Sequence, residues 1–163
     1  MSEKMTFTHL NGSGEAYMVD VTAKQPTVRE ATAISTVYSS TRGDRCAAGR
    51  DGSQGRRRRR GAYCGIAAAK GAWALLPLTH TIGVHGAAVD IHLEKDHVAI
   101  TATVRTADRT GVEMEALTAV TVAALAVVDM VKGVDRSAAI TDCKIIHKAG
   151  GRSGDWHRPG YEG

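Results

Sequence analysis

The apolar segment at residues 111–134 constrains the fold of this chain more than any other feature. It predicts one long helix, whose uncharged part Ala116–Val128 is too short to cross a bilayer. Steps of three and four residues from Glu115 follow one helical stripe. The stripe consists of Glu115, Thr118, Val122, Leu125, Asp129 and Lys132. The segment therefore predicts a core helix with ionisable groups at both ends of its buried side.

The charged end of this stripe has two interpretations. Asp129 and Lys132 are three positions apart, which suits a solvated ion pair where the helix leaves the core. In an arbitrary chain this interpretation is the commoner one, because surface ion pairs outnumber catalytic pairs. The alternative is a functional site in which a buried carboxyl group and an ammonium group act together. The stripe alone leaves both open.

Alternating apolar and polar residues predict four strands around this helix. They are Val28–Tyr38, Val84–Glu94, His97–Thr106 and Ile140–His147, the middle two forming a hairpin around Lys95 and Asp96. An alanine-rich helix, Gly65–Leu76, precedes the hairpin and stops at Pro77. The resulting order is that of an α+β, ferredoxin-like βαββαβ sandwich, in which helices cover one face of an antiparallel sheet.

Length and composition predict a single domain over residues 1–163, with a flexible tail from Gly150. The start of the chain has no apolar targeting segment, so the expected location is cytoplasmic and no membrane partner is expected. Cys46, Cys64 and Cys143 show neither C-x-x-C nor zinc spacing. We therefore expect buried or incidental thiols in a reducing compartment.

The net charge of +4 depends on one run of five arginines, Arg56–Arg60, without which the chain is nearly neutral. Such a run normally indicates phosphate or nucleic-acid binding. One hypothesis is therefore a non-catalytic, ferredoxin-like oligomer that binds RNA or nucleotides through these arginines.

Two loops carry residues suited to chemistry. The segment Leu76–His80 places a histidine on a loop between a helix and a strand, although a lone loop histidine is usually inert. The segment Lys148–Gly154 places two cations, Lys148 and Arg152, around glycines whose N–H groups can approach phosphate oxygens. It lacks the spacing of a P-loop. Each loop alone is a weak indication of function.

Together, these segments resemble the molybdenum cofactor biosynthesis protein C family, the cyclic pyranopterin monophosphate synthases. The resemblance covers residues 8–34 and 65–157, and its most specific part runs from Gly111 to Lys132. The segments that carry it are Met18–Val21, Leu76–His80, Gly111–Ala119, Val128–Lys132 and Gly150–Gly154.

The resemblance implies a lyase of molybdenum cofactor biosynthesis with a ferredoxin-like subunit. Its implied substrate is a cyclised dihydroguanosine triphosphate, which a radical partner enzyme makes from GTP. The implied products are cyclic pyranopterin monophosphate and diphosphate. The family's subunits form hexamers, trimers of dimers with active sites at the dimer interface, and we expect the same homo-oligomer here.

The resemblance also implies roles for single residues. The aspartate that matches Asp129 is the catalytic residue, and the lysine that matches Lys132 lies in the same site. The expected substrate contacts are Leu78, Thr79, His80, Glu113, Met114 and Glu115. Lys148 and Arg152 are expected to bind the phosphates, because cations stabilise the charge of a leaving diphosphate.

The implied chemistry suits these residue types. Rearranging a purine-derived ring into a pterin needs several proton transfers. A buried Asp129 beside Lys132, with His80 nearby, offers groups whose pKa values can be pushed apart. No spacing indicates a metal site or a redox cofactor. A magnesium ion could accompany the triphosphate.

The chain departs from the family pattern in two places. Thr79-His80-Thr81 replaces the usual Cys-His-Pro, which makes this loop less rigid. The larger departure is the segment at about 35–64, which includes the arginine run and shows the pattern of neither helix nor strand. Three interpretations of it are open: a nucleic-acid-binding arm, a disordered insertion, or paired compensating frame changes in the gene.

The frame-change interpretation rests on the genetic code. One permissible back-translation of Cys46–Ile66, read one base later, gives a Lys-Gly-Asp-containing segment like the family's own, which shows compatibility and no more. The family's active-site lysine would then fall at Gln54 and be missing, so impaired activity is expected. The loss of packing before Ala67 also predicts a poorly ordered segment and a weakened fold.

Overall fold

The computed structural model describes residues 9–39, 53–152 and 154–161. The strands and helices follow one another in the order β1, α1, α2, β2, β3, α3, β4, β5. Their bounds are β1 Thr27–Tyr38, α1 Ser53–Lys70, α2 Ala72–Leu75, β2 Gly86–Leu93, β3 His97–Asp108, α3 Glu113–Val131, β4 Ala139–Ala149 and β5 Trp156–His157.

The five strands form one antiparallel sheet with the order β2-β3-β1-β4-β5. Strand β1 pairs with β3 along its whole length, from Thr27 opposite Asp108 to Tyr38 opposite His97. Helices α1 and α3 pack against each other and against one face of the sheet. The structure thus confirms the predicted βαββαβ arrangement and the predicted hairpin.

The core lies between the sheet and α3. Alternate residues of β1 face it, so Ala31, Ala33 and Val37 are fully buried. The buried apolar face of α3 consists of Ala116, Ala119, Val120, Ala123, Ala124, Val127 and Val131. Helix α3 is long and apolar enough to cross a membrane by length and composition, but it packs on the sheet as a core helix does.

Helix α1 begins at Ser53, well before the predicted start at Gly65. The expectation of poor order is therefore wrong from Ser53 onward, where arginine is a favourable helix residue. Gly65 lets α1 lie close to α3, because a Cβ there would lie 2.8 Å from the carbonyl oxygen of Ala119, and Gly61 leaves room for the side chain of Ile91 on β2. The rest of the unusual segment, residues 40–52 with Cys46, lies outside the described residues.

The tail, predicted to be a flexible loop or arm, contains the short strand β5. Its two residues pair with β4, Trp156 opposite Lys148 and His157 opposite His147. The turn out of β4 needs glycine, because Gly150 has a φ of 90° and a Cβ there would lie 2.2 Å from the carbonyl oxygen of Val28. The tail is thereby held against the edge of the sheet.

Candidate active site

A cavity of about 490 Å³, here called the histidine pocket, joins two distant parts of the sequence. The loop after α2 and the start of α3 both line it. All six predicted substrate contacts are there: Leu78, Thr79, His80, Glu113, Met114 and Glu115. The other lining residues are His9, Val19, Val21, Lys24, Thr110 and Gly111. The predicted contacts therefore share one pocket.

His80 reaches this pocket because α2 ends just before it. The chain becomes extended at Leu76, as expected for a residue before proline, and Thr79 N–H donates to the Leu76 carbonyl oxygen at 3.0 Å. The Nε2 atom of His80 lies 2.6 Å from the carbonyl oxygen of Val19. A carbonyl can only accept, so Nε2 carries the proton, and Nδ1 of the neutral ring is an acceptor.

Glu115 is the buried carboxyl group of the pocket. Its residue is 3% exposed, and its Oε2 atom is buried without a hydrogen-bond partner among the described residues. Burial raises the pKa of Glu115, and the neighbouring charge of Glu113 raises it further. A carboxyl group in this environment is suited to holding and donating a proton.

Glu113 connects the histidine pocket to a second cavity, the tail pocket. At the first turn of α3 its Oε1 atom accepts a bond of 3.2 Å from Nζ of Lys148 on β4. The tail pocket has a volume of about 450 Å³. It is lined by Glu113, Ile145, Lys148, Asp155 and Trp156. Lys148 therefore lies next to the predicted substrate contacts.

Arg152 lies in a third cavity, the arginine pocket, of about 540 Å³. Its lining residues are Ala23, Lys24, Gln25, Thr27, Arg29, Gly151 and Arg152. The guanidinium of Arg29 donates to the backbone oxygens of Asp108 and Arg109, at 3.0 and 3.2 Å. Lys24 lines this pocket and the histidine pocket alike. Three cations are thus placed where phosphates could bind.

Asp129 and Lys132 form an ion pair that is exposed, and the prediction of a buried pair is wrong for this chain. Nζ of Lys132 lies 2.8 Å from Oδ1 of Asp129, and the Arg60 guanidinium of α1 lies 3.5 Å from Oδ2. The Asp129 side chain is 50% exposed and that of Lys132 is 67% exposed. Lys132, and to a smaller extent Arg60, lowers the pKa of Asp129.

The stripe that begins at Glu115 turns away from the sheet along α3. Glu115 is buried, but Leu125 is already 53% exposed. At about 1.5 Å per residue, Asp129 lies about 22 Å along the helix from Met114. The structure therefore places the predicted catalytic pair and the predicted substrate contacts at opposite ends of α3.

The sequence profile of the MoaC family matches residues 18–151 of this chain. The chain belongs to the MoaC family. It is similar to a protein of Nocardioides sp. named cyclic pyranopterin monophosphate synthase, with 49% identity over 93% of this chain and 95% of the relative. A Streptomyces coelicolor protein of the same name is 49% identical over 93% and 89% of the two chains. A Mycobacterium bovis protein named cyclic pyranopterin monophosphate synthase 2 is 43% identical over 93% and 90%.

Sequence reasoning missed Lys24 and Arg29 of this MoaC-family chain, and it did not predict that Arg60 contacts Asp129. The segment Met18–Val21, which carries part of the resemblance, was the available signal for Lys24. Arg60 belongs to the arginine run, in which Arg59 and Arg60 have contacts within the molecule. Arg60 faces Asp129, and Arg59 donates to the backbone of its own helix at 3.2 Å.

With relatives named as synthases, the catalytic hypothesis is favoured over the RNA-binding alternative.

Proposed function

We propose that this chain is a cyclic pyranopterin monophosphate synthase of molybdenum cofactor biosynthesis. It converts a cyclised dihydroguanosine triphosphate to cyclic pyranopterin monophosphate and releases diphosphate. The observation that carries this proposal is the histidine pocket, in which the loop Leu78–His80 and the helix start Glu113–Glu115 meet. Its volume of about 490 Å³ falls in the range of sites for small organic ligands.

In the proposed site, His80 and Glu115 exchange protons with the purine-derived ring. The hydrogen bond to Val19 fixes the proton of His80 on Nε2, so that Nδ1 can accept one. Glu115 has a raised pKa and no partner for Oε2 among the described residues, so it can donate one. An acceptor and a donor in one pocket are what a stepwise ring rearrangement requires.

The phosphates of the proposed substrate lie against the cations around this pocket. Lys148 borders the tail pocket, and Arg152 borders the arginine pocket together with Lys24 and Arg29. These side chains would stabilise the negative charge that develops on the leaving diphosphate. No protein-bound cofactor is proposed for the reaction. Magnesium would enter with the triphosphate, whose oxygens are its preferred ligands.

The proposed site is completed by a second copy of the chain. Asp129 and Lys132 are exposed at the end of α3, far from the histidine pocket of their own chain. A neighbouring subunit that places its Asp129 at this pocket would supply the catalytic acid or base. We therefore propose a homo-oligomer, a hexamer built as a trimer of dimers, which works in the cytoplasm.

Product formation by the full-length chain tests this function directly. The cyclised nucleotide is incubated with the chain and with its Gln54→Lys variant, and pyranopterin and diphosphate are measured. We expect both products, and about tenfold more from the variant, because it restores a positively charged group at the position assigned to the family's lysine. If neither protein forms pyranopterin above a protein-free control, the proposed function is wrong.

A further inference from the structure

The tail strand brings three metal-binding side chains together on the sheet. His157 of β5 is directly opposite His147 of β4, and directly opposed residues project from the same face of a sheet. Asp155 lies two residues before His157 and contacts both histidines. We propose that His147, Asp155 and His157 bind a divalent transition-metal ion of the zinc class, and we refer to these three residues as the tail cluster.

The distances within the tail cluster suit a shared ion. Nε2 of His147 lies 2.7 Å from Oδ1 of Asp155, and Nε2 of His157 lies 3.7 Å from Oδ2. The three ligand atoms all lie within 4.8 Å of one another. Tetrahedral ligands at about 2.1 Å from zinc are about 3.4 Å apart. Asp155 and His157 are exposed and can make the small side-chain rotations that this spacing requires.

The carboxylate of Glu30 supports metal binding at the tail cluster. Oε1 of Glu30 lies 3.7 Å from Nδ1 of His147, so the negative charge of Glu30 favours a proton on Nδ1 and leaves Nε2 for the ion. Metal-binding histidines commonly have such a second partner.

The ligand types favour a transition metal over magnesium or calcium. Two imidazole nitrogens and one carboxylate oxygen suit Zn²⁺, Co²⁺ or Ni²⁺, whereas magnesium and calcium prefer oxygen ligands alone. Three protein ligands leave a position for water. An ion bound by the tail cluster would therefore differ from any magnesium that accompanies a triphosphate.

The tail cluster lies on the face of the sheet opposite the proposed active site. Successive residues of a strand project to opposite faces, and Lys148 contacts Glu113 of α3 on the helical side, so His147 projects to the other side. Asp155 and Trp156 also border the tail pocket. An ion at the cluster would fasten β5 to β4 and fix this wall of the pocket, without taking part in the chemical step.

Cobalt binding tests the proposal, because Co²⁺ reports imidazole and carboxylate ligation through its visible absorption. The full-length chain is freed of metal with a chelator, titrated with Co²⁺, and then titrated with Zn²⁺ as a competitor. We expect one Co²⁺ per chain, displaced by Zn²⁺, and an affinity lowered by at least about tenfold in His157→Asn and in Asp155→Asn. Circular dichroism checks that the variants are folded.

His97→Asn is the matched control. His97 also contacts an aspartate, Asp96 at 2.8 Å, but this pair has no third ligand among the described residues. Co²⁺ binding should be unchanged in this variant. The proposal is overturned if Co²⁺ does not saturate at one ion per chain, or if folded His157→Asn binds Co²⁺ as tightly as the unchanged chain.

Discussion

The two ends of α3 carry acidic residues in opposite environments. At the first turn, Glu115 is buried in the histidine pocket, and burial raises its pKa. At the last turn, Asp129 is half-exposed, and Lys132 and Arg60 lower its pKa. One helix thus has a carboxyl group that favours the protonated state and another that favours the ionised state. A reaction that both donates and accepts protons needs one group of each kind. Glu115 and Asp129 can serve the same reaction only where the two ends of α3 meet in one site.

Asp129→Asn should give the largest loss of activity. The change removes the proposed acid or base and keeps the shape of the side chain, so kcat should fall by about 10²- to 10⁴-fold. The fold should be unaffected, because the side chain is 50% exposed. Pyranopterin formation measures the effect, with the exposed Asp90→Asn on β2 as control. Equal activity of Asp129→Asn and Asp90→Asn would show that the end of α3 has no catalytic role.

Glu115→Gln should lower kcat by about tenfold to a hundredfold, because the amide cannot exchange the proton that the carboxyl group holds. The same substitution should raise the stability of the fold near neutral pH. The folded state holds the Glu115 proton more tightly than the unfolded chain does, so this group's contribution to stability falls as pH rises above its ordinary value of 4.5. Urea unfolding at several pH values should therefore show a smaller loss of stability toward neutral pH in the variant.

An unchanged pH dependence of unfolding in Glu115→Gln would contradict the burial of an ionisable group at the start of α3. Glu113→Gln is a useful comparison, since Glu113 adjoins Glu115 but forms an ion pair with Lys148 at 3.2 Å. Its substitution should not reproduce the same stability profile.

Gly65→Ala should destabilise the fold by about 1–3 kcal/mol, because overpacking forces backbone shifts. The added Cβ would lie 2.8 Å from the Ala119 carbonyl oxygen and 3.2 Å from Cγ2 of Val89. Denaturant unfolding measures the change. In Gly71→Ala the nearest atom lies 3.8 Å away, so the change should stay within about 0.5 kcal/mol. Equal stabilities of these variants would mean that α1 does not pack closely on α3.

Arg60→Ala should give the smallest effect, within about 0.5 kcal/mol of stability, because exposed ion pairs contribute little. Lys132 is the larger cause of the lowered pKa of Asp129, so Lys132→Ala should alter the pH profile of activity more than Arg60→Ala does. If Arg60→Ala altered the pH profile more than Lys132→Ala, the arginine run would have a role at the C-terminal end of α3 that its geometry does not indicate.

The order of elements could be predicted from the sequence, because alternating strands, Pro77 and the apolar segment each have a local pattern. The sequence did not allow us to predict which face of α3 is buried. The helix itself has alanine, valine or leucine on most of its sides, so the periodicity of its sequence does not distinguish the buried face of Ala119 from the exposed face of Leu125. Packing against the sheet makes that choice.

Tertiary contacts also explain what was missed in α1 and in the tail. Helix α1 extends back to Ser53, and Gly65 lets its helical backbone lie against α3, while Gly61 leaves room for Ile91 of β2. Strand β5 has two residues and depends on pairing with β4. The residues that line the histidine pocket were predicted through resemblance, whereas Lys24 and Arg29 reach its surroundings through tertiary contacts.

The most direct test of the central claim is complementation between two inactive chains. His80→Ala removes a residue of the pocket, and Asp129→Asn removes the group that a neighbouring copy is proposed to supply. Both chains are produced together with different affinity tags. Each mixed dimer then has two sites, one with both residues intact and one with both residues substituted. Activity should recover to about a quarter of that of the unchanged chain, since about half of randomly paired dimers are mixed. Activity no higher than that of either variant alone would contradict a site shared between the opposite ends of α3.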